Sequence, residues 1–197
     1  MTLVEDIVVR KLGRADYLPI WQAMREFTRG RQASTPDELW LVEHPPLYTV
    51  GQAASIPSLV STIPVVKTDR GGDITYHGPG QVVIYALVDL VRRSIKVRRF
   101  VWLLEQAVIE LIGRRAERKP GAPGVYVDGA KVAALGIRVV RGRAYHGVAL
   151  NVDMDLSPFS AINPCGYPGL RVTQTKDLGI AVTAHDLAQS VVEVLDA

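Results

Sequence analysis

The 197-residue chain contains a single cysteine. That excludes a disulfide scaffold and a zinc site built from cysteines alone. Long apolar runs are also missing: the longest, Val82 to Val88, falls well short of the roughly 20 residues needed to cross a bilayer. The opening segment MTLVEDIVVR carries two acids early and has no basic stretch leading into an apolar core. It does not read as a secretory leader, and a soluble, cytoplasmic protein is expected. His44, His77, His146 and His185 do not fall at metal-ligand spacing, and the acids form no evident carboxylate pair. No metal and no cofactor are expected. The net charge of +3 is too small to imply nucleic acid without a clustered basic face.

A hydrophobic content of 48% with 22% charged residues excludes disorder, collagen and coiled coil for the chain as a whole. The length suits about one domain, and residues 1–197 are read as one catalytic domain. Apolar alternation and run length predict strands over 4–10, Glu38 to Glu43, Leu47 to Val50, Val65-Val66, 82–89, Val125 to Val127, Lys131 to Val140 and Ala144 to Asn151. Helical spacing predicts helices over 16–29 and 98–112, with Gly30 and Gly113 as stops, and a last helix capped by Thr183. Asp128-Gly129 is a hairpin turn pair. Helices do not alternate strictly with strands, so the expected class is α+β with a mixed or antiparallel sheet, not a doubly wound fold. Two basic clusters stand out: Arg92, Arg93, Lys96, Arg98 and Arg99, and Arg114, Arg115, Arg118 and Lys119. They read either as solvated helix ends or as a docking surface for an acidic protein.

Three segments carry chemistry. The run Arg70-Gly-Gly-Asp-Ile-Thr-Tyr-His77-Gly-Pro-Gly-Gln81 lets the backbone approach a ligand closely. It lacks the Gly-Lys-Ser/Thr of a phosphate loop, and no helix follows it. The alternative is a tight two-turn connection. Cys165 lies in Asn163-Pro-Cys-Gly-Tyr-Pro168, a looped setting that presents a thiol, although a lone cysteine is more often a small buried hydrophobe. Lys131 follows the Asp128-Gly129 turn; in a regular strand it shares an apolar face with Ala133, Leu135, Ile137 and Val139. Burial disfavours an ammonium and makes a lysine a usable base; the alternative is a surface lysine just past a turn. His146 is a candidate to line the same cleft, and a structural role suits His185.

Taken together, RGGDITYHGPGQ, GVYVDGAKVAALGIRV, HGVALNVD and NPCGY, in this order, resemble the octanoyl-(acyl-carrier-protein):protein N-octanoyltransferases of lipoate biosynthesis. The resemblance runs from about Leu41 to Thr173. It implies an α+β fold like that of biotin and lipoate protein ligases. It implies transfer of an octanoyl or lipoyl group from acyl carrier protein to a specific lysine of lipoyl domains, those of 2-oxoacid dehydrogenase complexes and the glycine cleavage H protein. It maps the acyl-thioester cysteine to Cys165 and the lysine that activates it, and acts as acid and base, to Lys131. It maps substrate contacts to Arg70, Gly71, Gly72, Asp73, Ile74, Thr75, Tyr76 and His77, to Ala134, Leu135 and Gly136, and to Gly147, Val148 and Ala149. It implies neither ATP nor metal, because a thioester donor is already activated.

Rival readings differ in what they ask of the thiol. An ATP-dependent lipoate or biotin protein ligase would share the glycine-rich stretch and a lysine but has no use for Cys165. A lipoyl amidotransferase would use a thioester enzyme with an already modified protein as donor. A catalytically inert binding module would tolerate loss of either Cys165 or Lys131. A nucleic-acid module would rest on the basic clusters alone, which carry no interleaved aromatic platform.

Overall fold

The computed structural model describes residues 7–55, 62–113, 115–162 and 169–197. In chain order the elements are β1 (Val8–Arg14), α1 (Tyr17–Gly30), β2 (Glu38–Glu43), β3 (Leu47–Val50), β4 (Val65–Lys67), β5 (Ile74–His77), β6 (Gln81–Asp89), α2 (Val97–Ile112), β7 (Ala116–Arg118), β8 (Gly124–Val127), β9 (Ala130–Val140), β10 (Arg143–Asn151) and α3 (Ala184–Asp196). Short 3₁₀ turns occupy Ser157–Ala161 and Lys176–Leu178. The class is α+β, as expected.

Seven strands form one sheet in the order β1-β2-β6-β10-β9-β8-β7, and β4-β3-β5 form a second. Among these strands as described, the β1–β2 and β3–β4 pairs are parallel and the rest antiparallel. The parallel β1–β2 pair follows from the helix between them, since parallel neighbours need a crossover. The hairpins follow from turn chemistry. Asp128-Gly129 and Arg141-Gly142 have φ of +49°, +79°, +50° and +77°, the paired positive angles of a tight turn matched to strand twist.

Alternation along the central strands divides the core. Leu39, Leu41, Ile84, Ala86, Val88, Val148 and Leu150 face α2 and α3, meeting Phe100, Leu104, Leu187 and Val191. Trp40, Val42, Val83, Tyr85, Leu87, Tyr145 and Ala149 face α1, meeting Tyr17 and Met24. The small sheet closes over Met154, Phe159 and Ile162 through Tyr48, Val50, Ile74 and Tyr76. Helix α3 starts on a capping box: the Asp186 N–H donates to Thr183 Oγ1, and the Thr183 N–H donates back to Asp186 Oδ2.

Two short strands escape the sequence reading. β5 lies inside the glycine-rich run, which alternation alone leaves as a connection, and β7 is only three residues long. The reading of the first basic cluster also needs correction. Arg92 Nη2 lies 2.8 Å from Asp37 Oδ1, Arg93 Nε lies 2.5 Å from Asp37 Oδ2, and Arg31 Nη2 lies 2.5 Å from Asp37 Oδ1. A buried carboxylate thus gathers three guanidiniums and joins β2 to the end of β6, so Arg92 and Arg93 serve the fold. In the second cluster, Arg115 pairs with Asp128 and Arg118 Nε lies 3.1 Å from Glu105 Oε2, while Arg114 is outside the described residues.

At Gly147 the strands approach so closely that a Cβ would sit 2.1 Å from the Ile84 carbonyl oxygen. Backbone cannot move aside as a side-chain tip can. Gly147→Ala is expected to cost about 1–3 kcal/mol in urea unfolding; a variant with the parent's midpoint would contradict this packing.

Candidate active site

The site is built on the face of β6, β10 and β9 that looks toward α1. The glycine-rich run crosses this face. The Gly71 N–H donates to the Ile137 carbonyl at 2.9 Å, and the Gln52, Ala53 and Gly51 N–H groups bond to the Arg70, Gly72 and Asp73 carbonyls at 3.0 Å each. A Cβ on Gly136 would lie 2.9 Å from the Gly71 carbonyl oxygen, so the close seating of this run on β9 requires glycine there.

Between run and sheet lies a narrow cleft. Of the residues mapped as substrate contacts, Arg70, Gly72, Asp73, Ile74, Thr75, His77, Ala134, Leu135, Gly136, Gly147, Val148 and Ala149 line it. Two do not. Gly71 lines an adjoining cavity, and Tyr76 turns away to meet Tyr48 at a tilt and Phe159 edge-on, at centroid distances of 5.5 Å each. Tyr17, Val83, Tyr85 and His146 complete the wall. In sequence Tyr17, Val83 and Tyr85 fall on apolar periodicities that any core would produce, so nothing marks them as cleft residues. The adjoining cavity shares Gly72, Asp73, Leu135 and Gly136 with the cleft and extends past Val101 to Gly121, Ala122 and Pro123.

Lys131 lines neither cavity, but it bonds to Pro123, a wall residue of the second. It is 3% exposed, so the surface-lysine alternative does not hold. Its Nζ donates to the Pro123 carbonyl at 3.2 Å and lies 5.2 Å from the Tyr126 ring centre. The regular alternation expected for this strand is broken. Val125 pairs with Ala133 but Tyr126 pairs with Lys131, so Val132 is an extra residue, a β-bulge. Val132 and Ala133 both enter the core against α2 and α3. Lys131 therefore does not share the face of Ala133, Leu135, Ile137 and Val139. It lies with Tyr126 on the opposite face, the face of Ala134 and Gly136. Its stem passes over Gly124, where a Cβ would meet Lys131 Nζ at 3.1 Å.

Cys165 lies outside the described residues. The chain just after it is held against Lys131. The Lys131 N–H donates to the Arg171 carbonyl at 2.8 Å, the Thr173 N–H donates to the Lys131 carbonyl at 2.9 Å, and Lys131 forms a parallel bridge with Val172.

A buried polar network surrounds the cleft. Arg70 Nη2 donates to the Thr49 carbonyl at 2.6 Å, and Arg70 Nε donates to Thr49 Oγ1 at 3.1 Å. His77 Nδ1 meets Gln81 Oε1 at 2.7 Å and Nε2 meets Thr49 Oγ1 at 3.1 Å. The Gln81 amide donates to Tyr76 O and Asn151 Oδ1, which leaves Oε1 as acceptor. His77 is then the neutral Nδ1–H form, with Nε2 accepting from the threonine hydroxyl. His44 is bonded similarly, Nδ1 to the Ala15 carbonyl at 2.6 Å and Nε2 to the Tyr85 hydroxyl at 2.7 Å. Burial pulls the His77 imidazole down to about 3 and lowers His44 and His146 as well. Burial pushes the Tyr17 hydroxyl up to about 12.

Asp69 forms a second centre beside the first. Trp21 Nε1 and His146 Nε2 each lie 2.8 Å from Oδ1, and the Tyr145 hydroxyl donates to Oδ2 at 2.5 Å. Burial works to raise this carboxyl, but the bonds from His146, Tyr145 and Trp21 outweigh it and hold the group well below the usual carboxylate range.

Residues 16–196 match the family described as the lipoyl protein ligase A/B catalytic domain. An octanoyltransferase of Dechloromonas aromatica is 60% identical over 198 aligned residues, covering 96% of this chain and 97% of that protein. One from Aromatoleum aromaticum is 64% identical over 180, covering 89% and 78%. A bipartite lipoate protein ligase from Thermoplasma acidophilum superposes with a TM-score of 0.70 at 15% identity, over 97% of this chain and 83% of that one. A biotin protein ligase from Aquifex aeolicus, in complex with biotin and ATP, does so with 0.56 at 10%, over 97% and 68%. The structural likenesses establish the fold. No helix of the described residues is long and apolar enough to cross a membrane.

The buried histidines make stability depend on pH. His77 takes its proton near pH 3 when folded but near 6.5 when unfolded, so between those values the unfolded chain binds more protons. Its contribution is complete above about pH 6.5 and falls away on acidification, by up to about 1.4 kcal/mol per pH unit. Urea unfolding at pH 7 and pH 5 is expected to give a lower stability at pH 5, with His77→Gln flattening the slope; equal stability at the two values would contradict neutral burial.

The family match and the close relatives agree with the fold: the chain belongs to the lipoyl protein ligase A/B catalytic-domain family and, within it, to the octanoyltransferases.

Proposed function

We propose that the protein transfers an octanoyl or lipoyl group from acyl carrier protein to the ε-amine of a lysine in a lipoyl domain, through a thioester on Cys165. The supporting observation is the pair of backbone hydrogen bonds between Lys131 and residues Arg171 and Thr173. They hold the strand of the buried lysine against the chain that follows Cys165 by six and eight positions.

In the first half, Lys131 takes the Cys165 proton and the thiolate attacks the donor carbonyl. Collapse of the tetrahedral adduct breaks the bond to the carrier sulfur, and the Lys131 ammonium returns the proton to the departing thiol. In the second half, the neutral acceptor amine attacks the acyl-enzyme and Lys131 removes its proton. The C–S bond to Cys165 breaks, and the same proton restores the thiol. An amide replaces a thioester, and no ATP or metal enters the balance.

The acyl chain lies in the cleft. Ala134, Gly136, Gly147 and Ala149 keep its walls thin, and Ile74 and Val83 make them apolar. Burying methylenes at about 0.8 kcal/mol each supplies several kcal/mol of binding. Lipoyl domains of 2-oxoacid dehydrogenase complexes and the glycine cleavage H protein are the acceptors, and the reaction takes place in the cytoplasm. An ATP-dependent ligase of this fold would need Lys131 but not Cys165.

Purified protein, octanoyl-acyl carrier protein and a lipoyl domain give the test. Cys165→Ser and Lys131→Met are each expected to lower kcat/KM by at least about a hundredfold. Activity of Cys165→Ser near the parent's, dependent on ATP and free octanoate, would replace this reading with the ligase one.

A further inference from the structure

His146 is the one residue of the cleft whose backbone breaks the rule of its strand. Its φ is +64°, a conformation costly for a residue with a Cβ. The β10–β6 ladder pairs Ala144 with Val88 and Gly147 with Tyr85, and it skips the two positions between. Alternation would send His146 toward α2, the side of Ala144 and Val148. Instead its ring stacks on that of its neighbour Tyr145, centroids 4.9 Å apart, and both side chains meet Asp69 on the α1 side. The distortion places an imidazole on the cleft wall that a regular strand would have turned into the opposite core.

The bonding of the ring fixes what it offers. Asp69 is ionised and can only accept, so Nε2 carries the hydrogen and Nδ1 keeps a lone pair. The ring is 1% exposed, and Nδ1 has no hydrogen-bond partner among the described residues. Other polar groups nearby are engaged: the Tyr85 hydroxyl with His44, the Tyr17 hydroxyl with Thr68 Oγ1 at 2.9 Å, and His77 at both nitrogens. A buried acceptor left empty is costly, and such a group calls for a ligand or an ordered water.

Position along the sheet says which part of a ligand arrives there. His146 pairs with Ile137, six positions and roughly 20 Å of strand beyond Lys131 on β9, but the Lys131 stem covers the first half: its Nζ lies over Gly124, the partner of Ala134, so roughly 10 Å remains to the level of His146, about the length of an extended eight-carbon chain. A linear acyl group with its carbonyl at the Lys131 end passes the Ala134–Ala149 pair, then the Gly136–Gly147 pair, and ends at His146.

We infer that His146 Nδ1 is a specificity-determining acceptor at the end of the acyl cleft away from Lys131, and that the enzyme accommodates medium-length acyl chains whose far end carries a hydrogen-bond donor, a hydroxyl or a thiol. The inference rests on the proposed seating of the acyl chain. A wholly apolar end wall would reject an added terminal hydroxyl by up to about a hundredfold. Here the hydroxyl finds a partner, and 8-hydroxyoctanoate binds within about threefold of octanoate.

The test uses the intact protein labelled with ¹⁵N-histidine and the two free acids as probes. Calorimetry gives both affinities, and NMR follows the unprotonated Nδ1 of His146. Near-equal affinities, with a hydrogen-bonding shift of the Nδ1 resonance for 8-hydroxyoctanoate and none for octanoate, support the inference. His146→Asn keeps a side chain that tolerates positive φ, and in it the hydroxylated probe is expected to bind at least about tenfold more weakly than octanoate. Octanoate binding with 8-hydroxyoctanoate rejected, or the same Nδ1 response to both, overturns the inference and leaves the acyl cleft standing. Binding of neither probe removes the acyl reading of the cleft and the inference with it.

Discussion

The architecture of the site depends on one short piece of pairing, the two backbone hydrogen bonds that join Lys131 to Arg171 and Thr173. Strand β9 is otherwise a member of an antiparallel sheet with β8 and β10 as neighbours. The returning chain adds a parallel bridge at its first residues, and the bulge at Val132 turns the lysine toward the cleft face. Without the bulge, Lys131 would enter the core against α2, where an ammonium has few partners. Without the bridge, nothing described here would tie the segment after Cys165 to the lysine.

The bridge is itself anchored. Thr173 accepts from Asn151 Nδ2 at 3.0 Å, and Asn151 Oδ1 accepts from Gln81 Nε2 at 3.0 Å. Gln81 accepts from His77, and His77 accepts from Thr49, which in turn receives Arg70. One run of buried hydrogen bonds thus connects the glycine-rich wall of the cleft to the strand of the lysine. Such networks are costly when half satisfied and rigid when complete. The members His77, Gln81, Thr49 and Asn151 are all at least nine-tenths buried, so the wall and the lysine are held in register by groups that water cannot replace.

Most of the scaffold was legible in the residues. Helix α2 spans the apolar face from Phe100 to Val108, and α3 begins at Thr183, as cap and spacing required. Asp128-Gly129 turns as its composition demands. What escaped is what alternation cannot encode. The bulge falls on Val132, an ordinary valine between Lys131 and Ala133, and its effect was to reverse the predicted face of Lys131. His146 sits at positive φ, where asparagine or glycine would have given a signal and histidine gives none. Arg92 and Arg93 look like surface charge until Asp37, more than fifty positions earlier, is folded against them. Long-range ion pairs leave no periodic mark. The cleft contacts were legible only through resemblance, because glycine runs form turns as readily as ligand walls. Even there Tyr76 and Gly71 lie off the cleft.

The central claim is that Cys165 carries the acyl group and Lys131 moves its proton. Intact mass after mixing the protein with octanoyl-acyl carrier protein tests it directly, with Cys165→Ala run alongside and a lipoyl domain added afterwards. The account predicts one octanoyl group on the parent, none on the variant, and its passage to the lipoyl domain on addition. An unmodified parent that nonetheless acylates the lipoyl domain, or an adduct that persists in Cys165→Ala, would contradict it.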